Sequence, residues 1–237
     1  MTCFVLVHGA WHGGWCWRRT ADCLRAAGHS VFTPTLTGLG ERAHLLSPDV
    51  NLSTHVTDVI ACIEAEEIDH LVLCGHSYGG AVTTLVADRI TPRIATLVFL
   101  DGYIAMDGMS ILDADPPDRR ERILQSVLHG PKGDVLPPAP AAAYVLGSEA
   151  DQQWVDRRCT PHPVATFTET ARLAGGWQQV PRLAYIATTR FQPNDFRDIA
   201  ARLSTNARFT CASIDSGHEA MIDAPQTLSD MLSQFAE

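Results

Sequence analysis

The sequence has no apolar run approaching the roughly 18 residues of a membrane-spanning helix. Its start lacks the basic segment and long apolar core of a signal peptide, since Met1-Thr2 leads straight into Cys3-Phe4-Val5-Leu6-Val7. Basic runs are no longer than pairs such as Arg18-Arg19 and Arg157-Arg158, and 18 Lys plus Arg against 27 Asp plus Glu leave a net charge of −9. That balance disfavours capture of a nucleic-acid backbone, which needs concentrated positive charge. The seven cysteines (3, 16, 23, 62, 74, 159 and 211) form no CxxC pair. Their number is odd and a chain of 237 residues does not need staples, so reduced thiols in the cytoplasm are expected. No internal repeat is present. With 46% hydrophobic and 19% charged residues, the composition is that of a globular protein rather than a disordered one. A single domain acting on a small molecule is expected, without membrane, nucleic acid, metal or cofactor. The oligomeric state stays open, a homodimer included.

Hydrophobic patterning divides the chain further. Phe4–Val7, Ser30–Thr33, Leu71–Cys74 and Ile94–Leu100 read as buried strands. Between them, Trp17, Ala21 and Leu24, then Val56, Val59, Ile60 and Ile63, then Ala81, Val82, Leu85, Val86 and Ile90 recur at helical spacing. Gly28 suits a C-cap and Ser53 an N-cap. This alternation predicts an α/β fold, with a mostly parallel six-stranded sheet and helices on both faces. It breaks over 101–180, an acidic, Pro- and Ala-rich stretch with helical pieces near Arg119–Leu128 and Ser148–Arg157. Such an insert reads as a helical cap over a site. The core, 1–100, resumes over 181–237 with strands Leu183–Ala187 and Phe209–Ile214, a helix at Phe196–Leu203 and a last amphipathic helix opened by Pro225.

The segment Gly75-His76-Ser77-Tyr78-Gly79 carries the chemistry. Three fixed small residues arise by chance in roughly one chain in ten of this size. The placement after a strand and before a helix gives this one weight, because a serine on a sharp strand-to-helix turn is lifted out of the sheet and close glycines relieve the crowding. A serine hydroxyl needs a base. His218, in the loop after the last strand, stands where that base belongs in this chain order. An oxyanion needs N–H donors. Tyr78, after the nucleophile, and Ala10, in the Gly-rich loop after the first strand, are the candidates.

On these residues the chain resembles the α/β-hydrolase superfamily, and more narrowly the branch of plant methylesterases, hydroxynitrile lyases and small bacterial esterases. Segments 4–15, 75–80 and 97–101 carry the likeness, with Gly217-His218 and Pro225. Segments 7–17 and 33–42 are similar to bacterial members that cleave methyl carbamates, the carbendazim hydrolases among them. The resemblance implies a serine hydrolase for a small ester or methyl carbamate, with a Ser-His-Asp triad and a covalent acyl-enzyme. Lyases of this branch carry Thr at the position of Gly9 and Lys after the catalytic His, where this chain has Glu219. Hydrolysis is therefore favoured over a lyase, and over a non-catalytic small-molecule receptor on the same fold.

The chain departs from the pattern at the acid. The family often supplies it after the strand at Leu183–Ala187, but 187–193 contains no carboxylate, and Arg190 stands in the usual place. Asp101, ending the most apolar strand, is the leading substitute, with a turn role before Gly102 as its plain alternative. Asp195 is the second. His8 and His12 have the i, i+4 spacing of a metal pair, but they lie in a Gly-rich loop with no HExxH, so structural or pocket roles are expected. Trp11, Trp15, Trp154 and Trp177 read as core or pocket walls, Cys16 as a small buried hydrophobe, and 137–143 as a loop.

Overall fold

The computed structural model describes residues 1–191 and 194–236; of 194 and 195 it describes the backbone only. The core strands are β1 (Cys3–Val7), β2 (Ser30–Phe32), β3 (Leu71–His76) and β4 (Ile94–Leu100). After an insert containing β5 (Val135–Leu136) and β6 (His162–Pro163), the sheet resumes with β7 (Arg182–Thr188) and β8 (Phe209–Ile214). Six strands pair in the order β2-β1-β3-β4-β7-β8, all parallel.

Side chains alternate along these strands and build two cores. Val5, Val7, Leu71, Leu73, Leu97 and Phe99 face helices α2 (Leu52–Ala65) and α3 (Tyr78–Ile90). Phe4, Leu6, Val72, Cys74, Val98 and Leu100 face α1 (Arg18–Ala26) and the C-terminal α10 (Pro225–Gln234). Burying both faces requires near-continuous apolar strands, which is why β4 reads as the most hydrophobic of them. Each of its fully buried Leu or Val side chains contributes about 1.5–3 kcal/mol.

Gly28 follows α1 with a φ of +86°, the left-handed conformation that closes a helix. The N-cap of α2 is Asn51 rather than Ser53. Asn51 Oδ1 accepts the Thr54 N–H at 3.0 Å, and Thr54 Oγ1 accepts the Asn51 N–H at 3.3 Å, a reciprocal box that two side chains satisfy together. Ser53 lies inside the helix, where its N–H and hydroxyl both donate to Glu169.

The cap is less helical than expected. It holds four short helices, α4 (Ile111–Ala114), α5 (Pro117–Gln125), α6 (Glu149–Asp156) and α7 (Ala165–Thr168), and the antiparallel β5–β6 ribbon. Prolines at 131, 137, 138, 140, 161 and 163 explain this, since each removes a donor and obstructs the preceding turn. Among the described residues no helix is long and apolar enough to cross a membrane. All seven cysteines are free.

Candidate active site

Ser77 ends β3 in a backbone conformation few L-residues adopt, with φ +52° and ψ −121°. The turn is held from both sides: Ser77 N–H donates to Leu100 O at 3.1 Å, and Ser77 O accepts from Gly80 and Tyr103 N–H. The glycines around it are obligatory. A Cβ on Gly75 would lie 2.5 Å from Gly79 O, and one on Gly79 would lie 2.6 Å from His8 O. Tyr78 opens α3, so its N–H is one of the helix's unpaired N-terminal donors.

The loop after β1 is held by two histidines. His8 Nδ1 donates to Gly9 O at 2.8 Å, while its Nε2 accepts the Leu36 N–H at 3.1 Å. Because the peptide unit is planar and trans, holding the Gly9 carbonyl toward His8 turns the Ala10 N–H the opposite way. His12 Nδ1 donates to Ala10 O at 2.7 Å, fixing the next peptide unit. Trp11, with a φ of +65°, sends its N–H to His162 Nδ1 in the cap at 3.1 Å. His8 and His12 thus brace a loop, as expected of them.

His218 is 3% exposed, packed among the rings of Tyr144, Phe191 and Phe196. Its N–H donates to Tyr144 O, and its Nδ1 donates to Asp101 Oδ2 at 2.7 Å. Asp101 is itself buried and sits at φ +42°, one residue beyond the last β4 pairing. Its carboxylate also accepts from Thr188, by N–H at 3.3 Å and by hydroxyl at 2.9 Å. Sequence reasoning missed Thr188. The last residue of β7, just before the loop, provides a donor that holds the carboxylate in place of the carboxylate itself. Arg190 in the same loop ties down the His218 segment, through N–H to Ser216 O, guanidinium to Asp215 O and ion pairs with Asp215 and Asp223. Asp195, the other candidate acid, has its side chain outside the described residues.

A cleft of about 170 Å³ is lined by Gly9, Ala10, Trp11, His12, His76, Ser77, Tyr144, His218 and Glu219. It brings together Ser77, His218 and Ala10 from three separate stretches of chain. A wider groove beside Arg18, Arg25, Arg157 and Arg158 contains none of these groups. Glu219 was not foreseen as a pocket residue. It is 1% exposed, and its Oε1 lies 3.5 Å from His12 Nε2. Burial opposes charge on His12, but the facing Glu219 carboxylate, with Cys159 and the Ala10 carbonyl, outweighs it and pushes the His12 pKa up to about 10. Burial instead holds His8 down to about 3 and His76 well below the ordinary histidine value. Cys16 is buried in the second core, the place of a small hydrophobe, and Trp177 packs on Phe99.

Comparison with known proteins agrees with this architecture. A carbendazim hydrolyzing esterase from Nocardioides sp. (strain SG-4G) is 43% identical over 241 residues, spanning 98% of this chain and 98% of that protein. Methylesterase 10 of Arabidopsis thaliana is 35% identical over 102 residues, 43% of this chain and 37% of its own length. Among solved structures, an extracellular alpha/beta-hydrolase from a Paenibacillus species matches with a TM-score of 0.83 at 22% identity, over 99% of this chain and 98% of that one. Polyneuridine aldehyde esterase matches at 0.81 and 20%, over 100% of both chains. At such identities the structural likeness speaks for the fold alone. The alpha/beta hydrolase family itself matches residues 4–231. With that match, a full-length esterase relative and a six-stranded parallel sheet carrying a serine elbow, the chain belongs to the alpha/beta hydrolase family.

Proposed function

We propose that the protein hydrolyses a small carboxylic ester or methyl carbamate through a Ser77-His218-Asp101 triad and a covalent acyl-enzyme. Ser77 Oγ attacks the carbonyl carbon as His218 Nε2 takes its proton. The N–H groups of Ala10 and Tyr78 receive the negative charge that develops on the carbonyl oxygen. His218 then passes the proton to the leaving group as the bond to the acyl carbon breaks. Water attacks the acyl-enzyme, its proton going first to His218 and then to Ser77 Oγ as the acid departs. Asp101, held by Thr188, keeps His218 in the tautomer with a free Nε2 and stabilises the imidazolium. Residues 101–180 act as the cap that shapes the pocket.

The observation that carries this reading is the 2.7 Å Asp101–His218 contact, buried behind the same cleft that Ser77 lines. The full-length relative named for carbendazim hydrolysis favours the carbamate branch of the reading. The seven free thiols support a cytoplasmic setting. Gly9 and Glu219 speak against a cyanohydrin lyase. A Cβ at position 9 would sit 2.9 Å from His76 Nδ1 and 3.1 Å from Ser77 Cβ, and Glu219 presents an acceptor where a cyanide leaving group needs a cation.

A panel of p-nitrophenyl acetate, simple methyl esters and methyl N-aryl carbamates tests the proposal. Turnover by the wild-type protein that disappears in Ser77→Ala is the expected result. No turnover of any member, or full turnover by Ser77→Ala, overturns it.

A further inference from the structure

Two buried acceptors beside the catalytic cleft have no hydrogen-bond partner. Glu219 is 1% exposed, and while its Oε1 faces His12, its Oε2 has no hydrogen-bond partner in the protein. His76 Nε2 donates to the His218 carbonyl at 3.0 Å, which leaves His76 Nδ1 as a bare acceptor, also buried and without a partner. Some of the protein's own donors nearby are engaged, while the indole N–H groups of Trp15, stacked on His12, and of Trp17, edge-on to His76, are buried without a partner. His12 uses Nδ1 on Ala10 O and turns Nε2 toward Glu219, and His218 gives its Nδ1 hydrogen to Asp101. One carboxylate oxygen of Glu219 and one ring nitrogen each of His76 and His218 lie within 4.8 Å of one another. A buried polar atom without a partner is costly, and where it lines a cleft it marks the place of an incoming group.

We propose that Glu219 is a specificity-determining residue, accepting a hydrogen bond from an N–H attached to the scissile carbonyl, so that the site selects carbamates of the form R–NH–CO–OR′ over esters of the same shape. This rests on the hydrolase reading above and names the group that divides its two substrate classes. An ester with CH₂ in place of the N–H has no hydrogen to offer, and leaves the Glu219 oxygen as unpaired as it is in the free protein, whereas a carbamate N–H relieves it. The carboxylate does not oppose charge building on the carbonyl oxygen, because the facing His12 cation offsets it. That pairing lets an acidic group stand beside an oxyanion site. His12 is a positioning residue in this arrangement, since it holds both Glu219 and the Ala10 carbonyl.

The test is a cycle between one enzyme group and one substrate group. Values of kcat/KM are measured for methyl N-phenylcarbamate and its CH₂ counterpart, methyl phenylacetate, in the wild type and in Glu219→Met. Intrinsic reactivity cancels when the carbamate-to-ester ratio of the variant is divided by that of the wild type. Loss of a hydrogen bond to a charged acceptor lowers that ratio by about tenfold or more in the variant. Equal loss on both substrates overturns the proposal and leaves Glu219 a structural role. A second measurement does not depend on how Glu219→Met folds. By calorimetry, Ser77→Ala is expected to bind intact methyl N-phenylcarbamate about tenfold or more tightly than methyl phenylacetate. Equal affinities, or no carbamate binding, overturn the proposal. Absence of turnover in the wild type would strike the hydrolase reading, while the Ser77→Ala affinities still decide the role of Glu219.

Discussion

Acidification to about pH 5 should strip this protein of most of its stability, because the fold keeps four histidines neutral. His8, His55, His76 and His162 are at most 1% exposed. Three of them are locked as acceptors: His8 Nε2 accepts from Leu36 N–H, His55 Nδ1 from the Tyr78 hydroxyl, and His162 Nδ1 from Trp11 N–H. A second proton on His8 or His162 would set N–H against N–H. Burial is the main cause that lowers all four below the ordinary histidine value of 6.5, to about 3 for His8, about 4 for His55 and well below for His76 and His162. Below pH 6.5 the unfolded chain binds protons that the folded one refuses, so stability is full above that value and lost as pH falls. At pH 5 the loss is about 2 kcal/mol per histidine and about 8 kcal/mol for four, against a total of roughly 5–15 kcal/mol for a typical domain. His12 runs the other way. Its raised pKa contributes fully below 6.5 and is lost as pH climbs toward 10, so it returns only about 1 kcal/mol between pH 7.5 and 5. Urea unfolding followed by tryptophan fluorescence across this range measures the slope. A loss of about 7 kcal/mol is expected, smaller by about a quarter in His55→Gln. A loss below about 2 kcal/mol would refute the reasoning, since the buried rings would then accept protons at little cost.

Asp101→Asn should lower kcat by about three to four orders of magnitude without unfolding the protein, since Asn offers no stable partner for the imidazolium, while Asp195→Asn should leave most of the rate. Steady-state kinetics on both variants checks this, and the reverse order would move the acid. Gly217→Ala would put a Cβ 2.2 Å from Val145 O, where the cap meets the His218 loop. Its expected cost is about 1–3 kcal/mol by thermal denaturation, with activity falling further than stability. Asn51→Ala removes the α2 cap and should cost about 1 kcal/mol with kcat unchanged.

The fold was legible where one physical signal dominated. Ile94–Leu100 has the bounds the sequence predicts, because an apolar run between turn residues makes a buried parallel strand; Phe209–Ile214 has them too, although it is an edge strand with only Ile214 buried. Ser53 was read as the α2 cap because it fits singly, whereas Asn51 wins by a reciprocal bond with Thr54 that a single-residue preference does not register. The cap was blurred for a different reason. Its prolines break helical periodicity, and its elements are held by contacts to distant loops, such as Trp11 to His162, that leave no local pattern. Asp101 stood out as the end of a very apolar strand, joined to a missing acid in 187–193. Thr188, which holds it, carries no sequence signal beyond being a threonine. The His12–Glu219 pair joins residues over 200 positions apart, and only the neighbouring His218 hinted that Glu219 lies in the pocket.

The central claim is that Ser77 becomes acylated with His218 as its base. Rapid quenching during turnover of p-nitrophenyl acetate, followed by peptide mass spectrometry, tests it most directly. A p-nitrophenol burst of one equivalent per active site and an acetyl group on the Ser77 peptide are expected, and neither in Ser77→Ala or His218→Ala. Steady turnover with no acyl group on Ser77, or a burst that survives Ser77→Ala, would contradict it.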